Sequence, residues 1–178
     1  MSNHYPQEAV TRDGRRLLLR PLGHEDSEAL YDLFQRMPLE SRRLDWNRID
    51  DRSFIEFWAA DLNYDQIFPV VALDGAKIVA EVTLERQERG PLRLVGRIHW
   101  LLDPDYRGVG LGTLLVNHLI GVARARGLRH MTCMLISDLE AEAVAVLEGL
   151  GFETHPFPGY GTDPDGNQHD MTKMVLEL

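Results

Sequence analysis

The sequence has almost no cysteine, no long apolar run and no secretory signal. Cys133 is the only cysteine in 178 residues, so no disulfide can form within the chain, and a reducing compartment is expected. The apolar stretches fall far short of the roughly 18 residues that span a bilayer, which argues against a membrane partner. The opening residues, MSNHYPQEAV, lack the basic and apolar regions of a secretory signal. Together these absences predict a cytoplasmic protein.

Positive charge is also scarce. The chain has 19 Lys and Arg against 28 Asp and Glu, which gives a formal net charge of −9. Nonspecific nucleic-acid binding depends on clustered Lys and Arg, so no nucleic-acid partner is expected. The negative excess suits a cationic small molecule or a basic peptide, although many proteins are acidic merely for solubility. The seven histidines are scattered without the spacing of metal ligands, so no metal site is predicted.

Apolar periodicity and turn residues predict a single domain of mixed α/β class over residues 1–178. The middle strands should meander antiparallel, and a later strand–helix–strand passage implies a parallel crossover. We therefore expect a mixed, mostly antiparallel sheet flanked by about four helices. The last helix is expected to start on SDLE, a capping box with Ser137 as cap and Glu140 at the third helical position. The predicted strands are 15–22, 68–73, 76–87, 92–102, 130–136, 152–158 and 171–178, and the predicted helices are 30–37, 50–62, 111–126 and 137–150.

Three alternate glycines, Gly108, Gly110 and Gly112, stand at the entrance to the leucine-rich third helix. Glycine weakens helices, but it lets phosphate oxygens reach the backbone amides at the positive end of the helix dipole. A P-loop is excluded because no lysine follows these glycines. A dinucleotide fingerprint, G-x-G-x-x-G, fails at Thr113, and a short segment separates the strand from the turn. The remaining template, R/Q-x-x-G-x-G/A, is matched by Arg107, Gly110 and Gly112.

In this context the chain resembles the GCN5-related N-acetyltransferases (GNAT). A long strand precedes the turn, and a capped helix ending in LEGLGF follows; RPLGHEDSEALYDLFQRMPLESRRL also resembles the acetyltransferase domain of bacterial Pat-type protein lysine acetyltransferases. The resemblance implies transfer of an acetyl group from acetyl-CoA to a primary amine of a small molecule or a protein lysine, with the sheet splayed beside the turn. It implies these cofactor-binding residues: Leu102, Arg107, Gly108, Val109, Gly110, Leu111, Gly112 and Thr113.

The resemblance also implies a base and an acid, and the chain departs from the family at both positions. The family often carries a glutamate on the long strand, where this chain has Arg97, which cannot accept the proton of the amine. His99, on the same strand face, is the first candidate base, and Glu81, an acid inside an apolar run of the neighbouring strand, is the second. Leu147 stands where many members have a tyrosine that protonates the thiolate, so Tyr160 in a late loop is the candidate acid.

Each of these side chains also has a purely structural interpretation. His99 and Glu81 fit hydrogen-bonded or solvated positions in a sheet, and Tyr160 fits an ordinary loop tyrosine. A CoA-binding sensor or interaction module without turnover therefore stays open beside the enzyme. One group of aromatic residues fits either core packing or the wall of an acceptor pocket: Trp46, Trp58 and Tyr64.

Overall fold

The computed structural model describes residues 5–44, 51–60 and 62–178, and an eight-stranded sheet runs through them. The strands are β1 Gln7–Val10, β2 Arg16–Pro21, β3 Ile67–Asp74, β4 Lys77–Arg86, β5 Val95–Leu102, β6 His130–Ile136, β7 Glu153–Thr162 and β8 Gln168–Glu177. The α-helices are α1 Ser27–Arg36, α2 Leu39–Leu44, α3 Arg52–Ala60, α4 Leu111–Ala125 and α5 Ala141–Gly149. None of the helices in these ranges is long and apolar enough to cross a membrane.

The sheet has the order β1-β2-β3-β4-β5-β6-β8-β7. Among the described strands every neighbouring pair is antiparallel except β5 and β6, which α4 joins as a crossover. A parallel pair needs such a long connection, whereas the antiparallel pair β3–β4 is joined by the tight turn at Asp74 and Gly75. The predicted mixed, mostly antiparallel sheet is confirmed.

The sheet opens between its two parallel strands. The β5–β6 ladder has three residue pairs, from Val95 with His130 to Arg97 with Thr132, and then stops. Both strands continue beyond it, β5 to Leu102 and β6 to Ile136. The strands therefore diverge towards the end of β5, which is the splay that the family resemblance implies beside the glycine turn.

Two apolar clusters cover opposite faces of the sheet. On one face α4 buries Leu115 and Leu119 against Val82 of β4 and other strand residues. On the other face α1 and α3 bury a second cluster that includes Leu30, Ile55 and the β3 residue Val71. Because side chains alternate along a strand, β4 and β5 present one set of residues to α4 and the other set to the side of α1 and α3.

Four local predictions differ from the structure. The apolar pattern predicts neither β1 nor α2, because their four and six residues are too short for a clear period. β7 extends to Thr162, so Tyr160 lies in a strand instead of the predicted loop. The capping-box prediction is wrong, because α5 begins after Glu140, whose carboxylate accepts from the Ile136 amide at 2.6 Å, while the Ser137 hydroxyl bonds Thr172 at 2.6 Å.

Candidate functional site

The glycine turn joins the end of β5 to the start of α4. Gly108 and Gly110 have φ values of 71° and 81°, a left-handed backbone that glycine adopts without strain. Gly110 is the residue that precedes α4, and Gly112 lies in the first turn of that helix. The alternate glycines thus have different local functions: two shape the turn, and the third leaves its own position in the first helical turn without a side chain.

The backbone amides of this turn have no acceptor among the described residues. None of the N–H groups of residues 108–113 donates to a described residue, and the first amide that does is that of Leu114, which donates to the Gly110 carbonyl at 3.1 Å. They stand at the N-terminus of α4, whose 15 aligned peptide units place positive partial charge there. Arg107 and Gly108 are exposed beside them. The arrangement can bind an anion such as a phosphate.

Asp103 anchors the segment between β5 and the turn. Its side chain is 2% exposed and accepts from Arg36 Nε of α1 at 2.7 Å and from Lys77 Nζ of β4 at 2.9 Å. It also accepts from the Asp105 amide at 3.0 Å. Burial would raise the pKa of Asp103, but the hydrogen bonds from Lys77 and Arg36 outweigh it and hold the pKa below its usual value. Sequence reasoning missed this residue, since its partners lie far away along the chain.

The loop between β1 and β2 holds the turn from the other side. The Arg12 amide donates to the Val109 carbonyl at 2.9 Å, and Arg15 Nη1 donates to the Asp105 carbonyl at 3.0 Å. The Arg15 guanidinium also lies 4.4 Å from the centre of the Tyr106 ring. The short strand β1 positions this loop beside the turn. Because the sequence pattern does not predict β1, it does not predict the contact between the loop and the turn either.

The two candidate bases lie on the same face of the sheet, the one that α1 and α3 partly cover. The β4–β5 register places Glu81 opposite Leu101, Thr83 opposite His99 and Glu85 opposite Arg97. Leu101 packs against the α1–α3 cluster, and His99 therefore points to the same side. The sequence left the face of Glu81 open, and this register decides it.

Glu85 is the direct partner of His99. The His99 Nε2 atom lies 3.1 Å from Glu85 Oε1, and Arg97 binds the other carboxylate oxygen. The hydrogen bond with His99 lowers the pKa of Glu85 to about 2, and Arg97 acts in the same direction against the effect of burial. The His99 side chain is 35% exposed. This face therefore presents an accessible imidazole that an ionised carboxylate orients.

Glu81 is far less accessible than His99. The residue is 3% exposed and accepts a hydrogen bond from the Thr83 hydroxyl. It lies between Val71 of β3 and Leu101 of β5, both of which pack into the α1–α3 cluster. A carboxylate in such surroundings can take up a proton, but a substrate can reach it only through this apolar layer.

Tyr160 is not brought to the candidate bases. It lies on β7, an edge strand that β6 and β8 separate from β5, and it is 69% exposed. Its ring packs against Phe157 with centroids 5.6 Å apart. Of the predicted aromatic group, Trp46 and the side chain of Trp58 lie outside the described residues, while the Tyr64 hydroxyl donates to the Leu22 carbonyl at 2.6 Å.

With this geometry in place, the chain can be compared with known proteins. Residues 27–152 match the family model described as the acetyltransferase (GNAT) family. The chain belongs to the GNAT family. It is also 34% identical over 128 residues to Acetyltransferase PA5475 of Pseudomonas aeruginosa, a match that covers 67% of this chain and 66% of that relative's length. The family that the glycine turn and its flanking elements indicate is confirmed.

Solved GNAT structures share the fold. The GNAT domain of S. lividans PAT superposes with a TM-score of 0.79 at 18% identity, covering 100% of this chain and 99% of that one. A GNAT superfamily phosphinothricin acetyltransferase from Sinorhizobium meliloti, solved in complex with acetyl-CoA, superposes with a TM-score of 0.78 at 21% identity, covering 91% of this chain and 88% of that one. At these identities the likeness concerns the fold.

Two positions at which this GNAT chain departs from the usual family pattern have local partners. Arg97 is ion-paired with Glu85, so its charge balances a carboxylate of the same face. Leu147 is fully buried in the α4-side cluster, where it packs against other apolar residues. Within the described residues no three His, Cys, Asp or Glu side chains are grouped as a metal site requires.

Proposed function

We propose that residues 1–178 form one cytoplasmic N-acetyltransferase domain, which moves an acetyl group from acetyl-CoA to a primary amine of a small molecule or a protein lysine. The observation that carries this proposal is the row of backbone amides at residues 108–113, which have no acceptors among the described residues. They lie at the end of β5, where β5 and β6 have separated. A diphosphate supplies the oxygens that such a row binds, and a splayed sheet leaves room for the pantetheine arm.

The proposed cofactor site runs along the end of β5 and around the turn. Arg107 adds a charge-assisted contact to the diphosphate, and the amides from Gly108 to Thr113 supply the neutral donors. Leu102, the last residue of β5, lies beside the open part of the sheet. In this proposal its backbone bonds the pantetheine and polarises the thioester carbonyl. The acceptor approaches from the face that carries His99.

In the proposed reaction the amine nitrogen attacks the carbonyl carbon of the thioester. A lysine-like amine has a pKa of about 10.4 and must lose a proton before or during the attack. His99 takes that proton through a water molecule; Glu81 is the alternative base. The new C–N bond forms as the C–S bond breaks, and the sulfur leaves with the bonding electrons. A thiolate leaves without protonation, so the distance of Tyr160 from this face does not prevent turnover.

Calorimetric titration with CoA, followed by a thiol-release assay, tests the proposed function. We expect saturable CoA binding with a stoichiometry near one per chain and thiol release with at least one class of amine. The acceptor panel comprises polyamines, amino acids, aminoglycosides and basic peptides. CoA binding without turnover across this panel would favour a sensor or interaction module. Binding of NAD without binding of CoA would overturn the cofactor assignment.

The choice between the two candidate bases is tested by matched variants. We expect His99→Ala to lower kcat by about a hundredfold, the lower end of the usual range for a general base, and to remove the acidic limb of the pH–rate profile. Glu81→Gln keeps the shape of the buried side chain and should reduce kcat by less than tenfold. Measuring kcat against pH at saturating acetyl-CoA separates the two. The reverse pattern, a normal profile for His99→Ala and an inactive Glu81→Gln, would assign the base to Glu81.

A further inference from the structure

The side chain of Arg12 lies across the glycine turn. A Cβ atom added to Gly110 would stand 3.0 Å from Arg12 Nε, 3.1 Å from its Cγ and 3.2 Å from its Cδ. Gly110 therefore serves a second purpose besides its left-handed backbone: it leaves the space that the Arg12 side chain occupies. The R/Q-x-x-G-x-G/A pattern carries no information about this neighbour, which comes from the loop between β1 and β2.

The loop that carries Arg12 is tightly held. The Thr11 amide donates to the Arg15 carbonyl at 3.0 Å, and the Gly14 amide donates back to the Thr11 carbonyl at 3.0 Å. The Arg12 amide donates to the Val109 carbonyl at 2.9 Å, which links the backbone of this residue to the turn. The base of the side chain is thus positioned by the fold, which lowers the entropy lost when its far end binds a ligand.

The guanidinium of Arg12 is available for a ligand. It makes no ion pair or hydrogen bond with any residue in the described ranges, and the residue is exposed. The nearby guanidinium of Arg15 is already engaged. The Arg15 Nε atom lies 2.9 Å from the Asp13 carboxylate, and Arg15 Nη1 donates to the Asp105 carbonyl. A guanidinium without a counter-charge among the described residues, beside a row of amides that bond none of them, offers both charge and donors to one anion. Guanidinium groups bind phosphate oxygens with two parallel hydrogen bonds.

We propose that Arg12 is a cofactor-binding residue, whose guanidinium contacts the diphosphate of the acyl-CoA held at the glycine turn. This inference rests on the proposed function, since it requires acyl-CoA at that turn. Arg12 and Arg107 then approach the diphosphate from the two sides of the turn, and the amides of residues 108–113 complete its binding site. The N-terminal hairpin β1–β2 becomes part of the cofactor site.

The test compares Arg12→Ala, Arg12→Lys and the control Arg129→Ala by calorimetry with CoA. Arg129 is an exposed arginine just before β6, at the end of the sheet away from the turn, so its replacement changes the net charge equally. We expect Arg12→Ala to weaken CoA binding about tenfold, the size of one charge-assisted hydrogen bond, and Arg12→Lys to recover part of that loss. Arg129→Ala should bind CoA as the original chain does. Thermal melting of each variant reports on the fold.

Three ligands separate a contact with the diphosphate from other causes. CoA and dephospho-CoA both contain the diphosphate and should lose the same factor in Arg12→Ala, while pantetheine, measured by its displacement of CoA, should lose nothing. The salt dependence of CoA binding should also become shallower in this variant. A loss with CoA but not with dephospho-CoA would move the contact to the 3′-phosphate and overturn the proposal, as would an equal loss with pantetheine or no loss at all. If Gly112→Val abolishes CoA binding while Arg12→Ala leaves it unchanged, the proposed function stands and the inference about Arg12 fails. If the original chain binds no CoA, the proposed function and the inference both fail.

Discussion

Replacing Gly112 by valine should lower the affinity for acetyl-CoA at least a hundredfold while the chain keeps its fold. Gly112 lies in the first turn of α4, and a Cβ added there meets no atom of the described residues within 4 Å. The valine side chain therefore enters the open space through which a diphosphate must approach the amides. Losing two charge-assisted hydrogen bonds, each contributing about 1.5–3 kcal/mol, corresponds to a hundredfold or more. Valine is no worse than glycine in a helix, so α4 should remain stable.

The matched control for this variant is Gly121→Val. Gly121 lies on the same helix, and within the described part of the chain a Cβ added to it also meets no atom within 4 Å. Both variants carry the same substitution, but Gly121 is remote from the turn. Calorimetric titration with acetyl-CoA and thermal melting of both proteins make the comparison. Equal affinities in the two variants would show that the turn is not the cofactor site. Gly110 is less suitable for this test, because its φ of 81° and its contact with Arg12 strain any side chain there.

Replacing Asp103 by alanine should lower the free energy of unfolding by about 3 kcal/mol, the lower part of the range for breaking a buried ion pair. Asp103 as a whole residue is 1% exposed. It joins α1, β4 and the glycine turn through Arg36, Lys77 and the Asp105 amide. Its removal leaves both cations without this carboxylate, and they regain part of their hydration because their side chains are 30% and 41% exposed. That exposure keeps the expected loss below the upper end of the range.

The effect of Asp103 should depend on pH in one direction. The pKa of Asp103 in the folded chain is lowered, because hydrogen bonds from Lys77 and Arg36 outweigh the burial that would raise it. A group with a depressed folded pKa stabilises the fold above its unfolded pKa of about 3.9, and this stability is lost as the pH falls through the folded value. The difference in unfolding free energy between the original chain and Asp103→Ala should therefore be constant near neutral pH and shrink below about pH 4.

Urea unfolding of both proteins at pH 7 and at pH 3 measures this difference. Asp105→Ala is the control, because Asp105 is an exposed carboxylate of the same turn. We expect the control to lose less than 1 kcal/mol, as exposed substitutions usually do. If Asp103→Ala were as stable as the control at pH 7, the ion pairs with Arg36 and Lys77 would not anchor the turn. A difference that persisted unchanged at pH 3 would show that the lost stability comes from packing and not from the ionised carboxylate.

Much of the fold was predictable because local patterns specify it. α4 carries apolar residues at helical spacing after a glycine turn, and the Asp74-Gly75 pair marks the β3–β4 hairpin. β1 and α2 escaped prediction because a strand of four residues and a helix of six show no clear period. In the SDLE segment, by contrast, a clear local pattern gave a wrong prediction. The segment satisfies the pattern of a capping box, yet the Glu140 carboxylate accepts from the Ile136 amide at the end of β6, and α5 begins only after Glu140.

The sequence by itself determined the position of the glycine turn and the face of His99, because both follow from neighbours within one strand or turn. Its motifs, taken in order along the chain, also carry the resemblance that indicates the family. The tertiary structure alone decided the face of Glu81, the ion pairs of Asp103 and the approach of Arg12 to Gly110. Each of these depends on the pairing of β4 with β5, on the position of α1 or on the loop beside β1. Strand register and packing between distant segments arise from the whole core, and no local pattern encodes them.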